Sequence, residues 1–279
     1  MSVSVQQPLS PRPFLKWAGG KSRLISQYQP YFPTQFSGYY EPFLGGGAIY
    51  FHLQPHWAFL SDINPELVNV YRCIRDDVEG AIALLESHAR HHSYSYYYQV
   101  RALQPQDPIA RAARFIYLNK TCFNGLYREN SQGQFNVPLG RYKNPKICYP
   151  ELLKTASLAL KNTEIKEMPF EQILELKIAQ NAFVYFDPPY HPLSPTSNFT
   201  AYSRHDFKQE DQERLRDIFA TLASRGVQVM LSNSDCSFIR ELYQGFFIHP
   251  IFANRSINSN HQKRGKIGEL LITSYPIAC

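Results

Sequence analysis

The chain has 279 residues, of which 44% are apolar and 19% charged, a composition typical of a soluble globular protein with a full hydrophobic core. No uninterrupted apolar run approaches the roughly 18 residues of a membrane span, and residues 1–12 lack the apolar core of a secretion signal. These features argue against a membrane protein and predict a cytoplasmic one. The formal net charge of +6 favours a polyanionic partner.

Metal and disulfide chemistry is disfavoured by the cysteine and histidine pattern. The five cysteines are scattered singly, without the Cys-x-x-Cys spacing of a zinc site. His88, His91 and His92 lie together on a predicted helix, but a metal would need further ligands within reach, so solvated histidines are the simpler interpretation. We therefore predict that the protein holds no metal.

The first predicted elements form a pattern suited to a nucleoside. A strand at Tyr39–Phe43 leads into Gly45-Gly46-Gly47, a helix follows at Ala48–Leu53, and a second strand begins at Trp57 and ends at Asp62. Glycines allow a ligand to approach the backbone, and a carboxylate at a strand end suits ribose hydroxyls. The spacing is not that of a P-loop, and the glycine run alone would more simply indicate a plain loop.

Residues 65 to about 149 are predicted to form a helical insert. Its helical patterns lie at Glu66–Arg75, Val78–Arg90, Tyr94–Leu103 and Pro108–Lys120. Phe123–Glu129 and Gln134–Leu139 then flank an Asn-Ser-Gln-Gly turn, which predicts a β-hairpin. A helical stretch of this length between two sheet strands favours an inserted module over a crossover.

The insert also carries basic residues interleaved with Asn, Phe and Tyr, as expected where bases and phosphates are contacted together. These basic residues are Arg111, Arg114, Lys120, Arg128, Arg141, Lys143 and Lys146. A second basic group near the end of the chain comprises Lys263, Arg264 and Lys266. A solvated charged face is the alternative for either group.

The α/β pattern resumes after the insert. The predicted helices are Tyr149–Lys161 and Gln209–Ser224, and the predicted strands are Phe183–Phe186, Val227–Leu231 and a closing antiparallel pair at Phe246–Phe252 and Glu269–Tyr275. The sequence therefore predicts an α/β fold with a helical insert.

The tetrapeptide Asp187-Pro188-Pro189-Tyr190 is the most informative motif. It follows the apolar run Phe183–Phe186, and because prolines cannot extend a central strand, the strand must end there. A carboxylate, rigid carbonyls and an aromatic ring are thus delivered to the carboxyl edge of a sheet, where ligands bind in open α/β folds. Together, the carboxylate, the carbonyls and the ring are suited to binding a flat heterocycle through its amino group. The alternative is a purely structural role, in which Asp187 caps a turn.

Several motifs, in this order, resemble those of the Dam-type DNA adenine-N6 methyltransferases of the D12 class. They are Phe14–Lys21, Glu41–Gly47, Ser61–Asn64, Tyr117–Asn119, Phe123–Arg128, Phe135–Pro138, Gly140–Tyr142, Asp187–Tyr190, Asn198–Tyr202, Arg255–Ile257 and Glu269–Leu271. The resemblance covers nearly the whole chain from Phe14. The tetrapeptide alone would be less specific, since related Pro-Pro-Tyr motifs serve cytosine and protein-glutamine methylases.

The resemblance implies a Rossmann-like methyltransferase sheet with an inserted helical DNA-recognition domain carrying a β-hairpin. The catalytic domain would comprise residues 1–64 and 150–279, and the recognition domain residues 65–149. The methyl donor would be S-adenosyl-L-methionine, with S-adenosyl-L-homocysteine as product. Its pocket would be lined by Trp17, Lys21, Glu41, Phe43, Gly45, Gly47, Asp62 and Asp187. For Trp17 alone, a core position would be the simpler interpretation.

For catalysis, the resemblance implies that Asp187 and the Pro188 carbonyl each accept a hydrogen bond from the adenine amine. The N6 lone pair would then be free to attack the methyl group in line, without a covalent enzyme intermediate. Pro189 would complete the rigid turn. Tyr190 would stack on an adenine flipped out of the duplex, because the amine of a paired base is inaccessible.

For the target, the resemblance implies GATC in double-stranded DNA. Arg128 would donate a forked pair of hydrogen bonds to a guanine, and Leu126 and Pro138 would touch the thymine methyl. Lys16 would contact the outer guanine and Asn124 the flanking pair. The remaining contacts would be a wedge, Phe123, where the family often has tyrosine, and residues of the phosphate-contacting segment, Asn136, Arg141, Tyr142 and Lys143. The alternative for Arg128 is a surface ion pair with Glu129 or another carboxylate.

Two other classes remain open at this point. One is a protein or RNA methylase with the same sheet, although Asp187 stands where protein-glutamine enzymes use Asn. The other is a catalytically silent DNA-binding regulator. The preferred interpretation is a monomeric, cytoplasmic, nucleoid-associated DNA methyltransferase, with restriction and regulatory roles both open.

Overall fold

The computed structural model describes residues 9–192, 207–253 and 267–277, which belong to two compact units. The first unit comprises Met1–Ser22, Gly45–Gln54 and Asn64–Ile165, and the second comprises Arg23–Leu44, Pro55–Ile63 and Lys166–Cys279. Three predicted features lie outside the described residues, namely the Asn198–Tyr202 motif, the Arg255–Ile257 motif and the basic group Lys263, Arg264 and Lys266.

Seven strands, β1 to β7, form one sheet in the described part of the chain. They comprise Tyr39–Glu41, Ala58–Asp62, Thr163–Glu167, Phe183–Phe186, Gln228–Ser234, Phe247–Ala253 and Ile267–Thr273. Their order in the sheet is β3-β2-β1-β4-β5-β7-β6. β1 is parallel to β2 and β4, and β4 is parallel to β5, whereas β7 runs antiparallel to β5 and β6. The carboxyl ends of β2, β1, β4 and β5 therefore follow one another along one edge.

Nine α-helices, α1 to α9, occur within the described ranges. They comprise Ile25–Tyr28, Ala48–Leu53, Pro65–Asp76, Val78–His91, Tyr94–Ala102, Pro108–Thr121, Pro150–Leu160, Gln209–Ser224 and Ser237–Leu242. Short 3₁₀ turns lie at Lys21–Arg23, Gln29–Tyr31, Phe123–Gly125 and Phe170–Glu175. The mixed α/β architecture agrees with the predicted fold class.

The core of the second unit is built around the central strands. All four residues of β4 are buried, as their apolar run predicts. α8 packs on this sheet through Leu215, Ile218, Phe219 and Leu222, which confirms the amphipathic pattern of that helix. The long strand-free segment between β2 and β3 forms α3 to α7 of the first unit.

Helices α3 to α6 of the first unit begin at residues whose side chains cap them. Asn64 accepts hydrogen bonds from the backbone N–H groups of Glu66 and Leu67 at the start of α3, where Pro65 takes the first helical position. Asp77 and Asp107 cap α4 and α6 in the same way. These caps explain why the bounds of the four helical patterns predicted after Asp62 lie close to those of helices α3 to α6.

Three helices and strands are absent from the sequence-based expectation. α1 has only four residues, too few for a periodic pattern. β3 alternates buried Thr163 and Ile165 with exposed charged residues, so that at a sheet edge it has too little apolar character to stand out. α9 is a single six-residue helix between two strands, too short for a periodic pattern.

The predicted hairpin is not confirmed as two continuous strands. Between residues 122 and 139 the structure has two isolated antiparallel bridges, Cys122↔Leu139 and Glu129↔Phe135. The first arm opens with the 3₁₀ turn, in which Asn124 has φ 55°, and the second contains Pro138, which has no N–H to donate. Both features interrupt a ladder. The Asn130–Gly133 turn itself forms, with the Asn130 N–H donating to the Gln134 carbonyl at 2.9 Å.

None of the described helices combines the length and apolar character needed to cross a bilayer. Over the same residues no group of His, Cys, Asp and Glu side chains is arranged to hold a metal ion. His88 is half-buried and stacks on Tyr117, so it is a packed histidine, contrary to the solvated interpretation.

Candidate active site

The Asp187-Pro188-Pro189-Tyr190 turn lies at the carboxyl edge of the parallel strands. It follows β4 directly, between the ends of β1 and β5, as the prolines predict. Pro188 is buried, Pro189 is exposed, and Asp187 and Tyr190 are half-buried. The Asp187 carboxylate and the Tyr190 ring are therefore partly accessible at the edge of the sheet, while Pro188 lies in the protein interior.

Asp187 is held by hydroxyl groups from two central strands. The Ser232 hydroxyl on β5 donates to Asp187 Oδ1 at 2.8 Å. The Tyr185 hydroxyl on β4 lies 2.9 Å from Ser232 Oγ, and because the serine proton is committed to Asp187, Tyr185 is the donor of this second bond. The carboxylate thus has a fixed orientation before any ligand arrives.

Side chains of α8 and β5 fix the rest of the turn. Gln212, which is completely buried on α8, donates to the Pro189 carbonyl at 2.9 Å. Its own side-chain oxygen accepts from the Asn233 amide at 2.9 Å, and Asn233 in turn accepts from the His191 N–H at 3.1 Å. This chain of hydrogen bonds satisfies buried polar groups on both sides of the turn.

The ring of Tyr190 is tied at its hydroxyl. Tyr190 donates to Glu269 Oε2 on β7 at 2.9 Å, and Tyr28 donates to the same oxygen at 3.3 Å. Burial, followed by the neighbouring negative charges, raises the pKa of both phenols well above the ordinary value. Both hydroxyls therefore remain protonated donors across the physiological pH range.

Three acidic residues lie at the ends of neighbouring strands in the second unit. Glu41 is the last residue of β1 and is buried, where it accepts a hydrogen bond from the Tyr39 hydroxyl at 2.8 Å. Asp62 is the last residue of β2, and Asp187 follows β4. Since β1 lies between β2 and β4, the structure brings these three predicted site residues to one edge.

Phe43, the remaining predicted cofactor residue of this unit, belongs to an aromatic cluster beside that edge. Its ring stacks on Phe170 at a centroid distance of 5.3 Å and meets Phe186 edge-on at 6.3 Å. Phe207 contacts both Phe43 and Phe170. The cluster offers an apolar surface just after the end of β1.

In the first unit, Gly45 and Gly47 have backbone conformations and surroundings that require glycine. Their φ angles are 47° and 64°, in the left-handed region. A Cβ atom would lie 2.7 Å from the Trp17 indole at Gly45, and 2.9 Å from the Tyr71 hydroxyl at Gly47. Tyr71 also donates to the Gly45 carbonyl at 3.1 Å. Close packing thus fixes the glycine turn ahead of α2.

The two other predicted cofactor residues of the first unit are Trp17 and Lys21. The Trp17 ring stacks on Phe115 and Tyr127, with centroid distances of 6.4 and 6.1 Å. Lys21 is buried, and its ammonium group donates to the Gly19 carbonyl at 2.6 Å. Trp17 and the glycine turn are therefore neighbours, whereas a ligand contact of either stays a prediction.

The predicted DNA-contacting residues belong to the first unit and are accessible. Those exposed are Phe123, Asn124, Arg128, Pro138, Arg141, Tyr142 and Lys143, and those half-buried are Lys16, Leu126 and Asn136. Phe123, the predicted wedge, is 47% exposed although it is a large apolar side chain. The Phe123 ring is therefore accessible to a partner, and its role as a wedge stays a prediction.

Arg128 does not form the ion pair that was its alternative interpretation. Its Nε donates to the Asn136 amide oxygen at 2.7 Å, and Glu129 instead accepts from the Tyr127 hydroxyl. Within the described residues Arg128 has no carboxylate partner. Arg128 and Asn136, both predicted to contact DNA, are thus brought together across the turn.

Ser232, Gln212, Asn233 and Tyr28 received no role from the sequence, and Glu269 only a place in a motif. The sequence does contain a pattern that could have identified Ser232 and Asn233. They are polar residues directly after the buried run Val229–Leu231, and the end of that strand lies at the same sheet edge as the end of the neighbouring strand β4. For Gln212 and Tyr28 no local pattern distinguished them from surface or core residues.

Comparison with known proteins gives a consistent result. The profile of the D12 class N6 adenine-specific DNA methyltransferases matches residues 17–257. The type II methyltransferase M1.LlaDCHI of Lactococcus lactis subsp. cremoris is 46% identical over 282 residues, covering 99% of each chain. The type II methyltransferase M.MjaIII of Methanocaldococcus jannaschii is 44% identical, over 95% of this chain and 99% of the relative. The DNA adenine methylase of Escherichia coli K12 is 36% identical, over 95% of this chain and 96% of the relative.

Proposed function

Because the chain belongs to the D12 class of N6 adenine-specific DNA methyltransferases, we propose that it methylates the adenine of GATC in duplex DNA after flipping that base out of the helix. Membership of this family makes it a site-specific adenine DNA methyltransferase that uses S-adenosylmethionine. The GATC target and the base flipping are our extension of that assignment.

The observation that carries the proposal is the fixed Asp187-Pro188-Pro189-Tyr190 turn at the edge of the sheet. Asp187, oriented by Ser232, accepts one hydrogen bond from the adenine amine, and the Pro188 carbonyl accepts the other. The two acceptors draw N6 toward tetrahedral geometry, so that its lone pair points away from the ring. S-adenosylmethionine supplies an electrophilic methyl group whose bond to sulfur breaks as the N6–carbon bond forms, leaving S-adenosylhomocysteine. The methylated nitrogen, which is positively charged at that point, then releases one proton to solvent.

Tyr190 supports the flipped-base geometry. The amine of a paired adenine cannot reach a site inside the protein, so the base must leave the duplex and be held by stacking. The hydrogen bond from Tyr190 to Glu269 holds the ring at its far end, which favours a rigid stacking platform beside Asp187.

The proposed cofactor residues fit S-adenosylmethionine in their chemistry. Glu41 and Asp62 offer carboxylates to ribose hydroxyls and to the cationic donor, and Phe43 and Trp17 offer apolar faces. Gly45 and Gly47 hold the left-handed backbone of a close ligand approach, and Lys21 and Asp187 are the remaining residues that we propose for cofactor binding.

The GATC choice is supported by the accessible residues of the first unit. Arg128 uses only Nε for Asn136, so its two terminal amino groups have no partner among the described residues and suit the forked acceptor of a guanine. We assign target recognition to residues 65–149, with Phe123 filling the space left by the adenine. We assign catalysis to residues 1–64 and 150–279.

The test is expression in a host that lacks DNA methylation, followed by sequencing of modified bases. Wild-type protein should place N6-methyladenine in GATC, and this DNA should resist a nuclease that methylated GATC blocks. Asp187→Ala should abolish the modification while purified protein still binds a GATC duplex. An active alanine variant would refute the role of Asp187, and methylation confined to another sequence would refute the target.

A further inference from the structure

The two arms on either side of the Asn130–Gly133 turn hold each other only weakly. Among the residues that the structure describes, their sheet pairing consists of two isolated bridges, Cys122↔Leu139 and Glu129↔Phe135. A two-stranded pair is marginally stable even with a continuous ladder. The position of the arms is therefore set by other parts of the first unit.

Val137 connects the second arm to the interior of that unit. Its side chain is 1% exposed, whereas its neighbours on the arm are half-buried at Asn136 and exposed at Pro138. Because a proline follows, the backbone of Val137 is restricted to extended conformations. Fixing Val137 therefore also fixes the directions in which its two neighbours leave it.

A buried tyrosine of α5 holds Val137 in place. Tyr97, which is completely buried, donates its hydroxyl to the Val137 carbonyl at 2.9 Å. Arg101, one turn later on α5, donates to the same oxygen at 3.3 Å. α5 is in turn tied to α6, since Arg114 donates to the Val100 and Arg101 carbonyls at 2.9 and 2.6 Å. The shorter bond, from a side chain with few rotatable bonds, thus anchors the arm to the helices.

On one side of Val137 the hydrogen bonds lead to Arg128. The Asn136 N–H donates to the Arg128 carbonyl at 3.0 Å, and Arg128 Nε donates to the Asn136 side-chain oxygen at 2.7 Å. Two bonds between the same pair fix the backbone and the side chain of Arg128 relative to the second arm. A shift of Val137 therefore moves the guanidinium group.

On the other side of Val137 the hydrogen bonds lead to Phe123. The Phe123 N–H donates to the Pro138 carbonyl at 2.9 Å. Val137 thus lies between the attachment points of two exposed side chains, the proposed guanine contact and the proposed wedge.

We propose that Tyr97 is a positioning residue for target recognition, whose hydroxyl sets, through the Val137 carbonyl, where Arg128 and Phe123 meet the DNA. The inference rests on the proposed function, since it takes the roles of Arg128 and Phe123 from it. Because Tyr97 is completely buried, it acts on sequence choice only through these neighbours.

Tyr97→Phe removes the hydroxyl and leaves the packing in place. The ring still meets Tyr98 and Tyr117, at centroid distances of 5.2 and 6.3 Å. The Val137 carbonyl keeps Arg101 as a donor, so no buried acceptor is left without a partner. The variant should therefore fold with a less firmly held arm. A purely structural role would lower methylation of all sequences alike, whereas a positioning role changes the ratio between sequences.

The first experiment compares kcat/KM on a GATC duplex with kcat/KM on a duplex changed at the guanine that Arg128 reads. For Tyr97→Phe this ratio should fall roughly three- to tenfold, a part of what one forked arginine–guanine pair supplies. Tyr96→Phe is the matched control, because it removes a hydroxyl from the same helix that lies 2.8 Å from His88 Nδ1 on α4. It should keep the wild-type ratio. A wild-type ratio in Tyr97→Phe would overturn the inference.

The second experiment combines Tyr97→Phe with Arg128→Ala. Since Tyr97 acts through Arg128, the double variant should discriminate at that guanine no worse than Arg128→Ala alone. A further loss in the double variant would show that Tyr97 acts by a separate route, and the positioning role would be wrong.

The third experiment tests the connection to Phe123 with 2-aminopurine in place of the target adenine. The fluorescence of this base rises when it leaves the stack, so it reports base flipping. Tyr97→Phe should give a smaller rise than wild type and Tyr96→Phe at saturating protein. An equal rise would overturn the part of the inference that concerns the wedge.

The outcomes separate this inference from the proposed function. If wild type methylates GATC while Tyr97→Phe keeps the wild-type ratio, the positioning role is wrong and the proposed function stands. If wild type methylates another sequence, the GATC target is wrong, and the same ratios measured on that sequence and its one-base variants decide the role of Tyr97. If wild type places no methyl group on DNA, the proposed function fails and this inference fails with it.

Discussion

At the scale of single residues, the Asp187–Tyr190 turn is held by side chains that lie outside the proposed substrate contacts. Ser232 orients Asp187, and Glu269 holds the hydroxyl of Tyr190. Both come from strands that follow the turn by many residues. The turn is thus rigid because its acceptors and donors are paired before the ligand binds, which lowers the cost of reaching the reactive geometry.

We expect Ser232→Ala to lower kcat by roughly ten- to hundredfold with little change in duplex affinity, since a misplacement of 1 Å at a reacting group costs on the order of 10²-fold. The measurement is steady-state methyl transfer together with a binding isotherm. Ser224→Ala is a suitable control, because that serine is exposed and bonds only within α8. Equal loss of kcat and of affinity would indicate a general structural defect.

The sequence predicts the residues of the turn but not those that hold it. Asp187 to Tyr190 are contiguous, so the tetrapeptide alone predicts a carboxylate, two prolines and an aromatic ring at one place. Ser232 lies 45 positions from Asp187, and Glu269 lies 79 positions from Tyr190, so their partnership depends on strand order in the sheet. Periodicity and capping describe neighbours along the chain and carry no such information.

At the scale of secondary-structure elements, α6 organises the first unit through one buried side chain. The Asn119 oxygen accepts from the Lys16 N–H at 2.8 Å, and its amide donates to the carbonyls of Lys16 and Gly125 at 2.7 and 3.1 Å. One helix position thereby fixes the backbone at Lys16 and the 3₁₀ turn that carries Phe123.

Replacing Asn119 with Ala should destabilise the protein by roughly 1–3 kcal/mol, because three backbone groups lose their partner in a buried place. Urea unfolding followed by circular dichroism measures this. Asn69→Ala is the matched control, since its amide donates only to the exposed Pro108 carbonyl and its oxygen accepts only the long bond from the Cys73 thiol at 3.7 Å, and it should cost clearly less. Similar values for the two variants would show that Asn119 has no bridging role.

Long helices with caps are predicted from sequence, whereas short or charged elements are not. The starts of α3 and α6 can be predicted from the local sequence, because each helix has a capping residue followed by proline, Asn64-Pro65 and Asp107-Pro108. β3 forms because a neighbouring strand offers it hydrogen bonds, a circumstance that its own five residues do not reveal. The hairpin is a further case, since Pro138 removes a donor that the alternating pattern assumes.

At the scale of the whole molecule, the proposed tasks are assigned to different units of the chain. Asp187, Asp62 and Glu41 belong to the second unit, whereas Arg128 and Phe123 belong to the first. Substitutions in the second unit should therefore change whether methyl transfer occurs, and substitutions at the recognition residues of the first should change where it occurs.

For Arg128→Ala we expect methylation at sites that differ from GATC at one guanine, with a loss of about 1–3 kcal/mol in discrimination there. Mapping of modified bases across a methylation-free genome tests this. Arg141→Ala is the contrasting variant, because removing a phosphate contact should weaken methylation at all sites alike. An unchanged pattern in Arg128→Ala would remove Arg128 from base recognition.

The three acidic residues at the ends of β1, β2 and β4 have a consequence for turnover. The sulfonium donor carries one positive charge more than the thioether that remains after transfer. The three carboxylates therefore attract S-adenosylmethionine more strongly than S-adenosylhomocysteine, which favours replacement of the product by a new methyl donor. We expect S-adenosylmethionine to bind more tightly than S-adenosylhomocysteine in calorimetric titrations, and Asp62→Asn to narrow the difference.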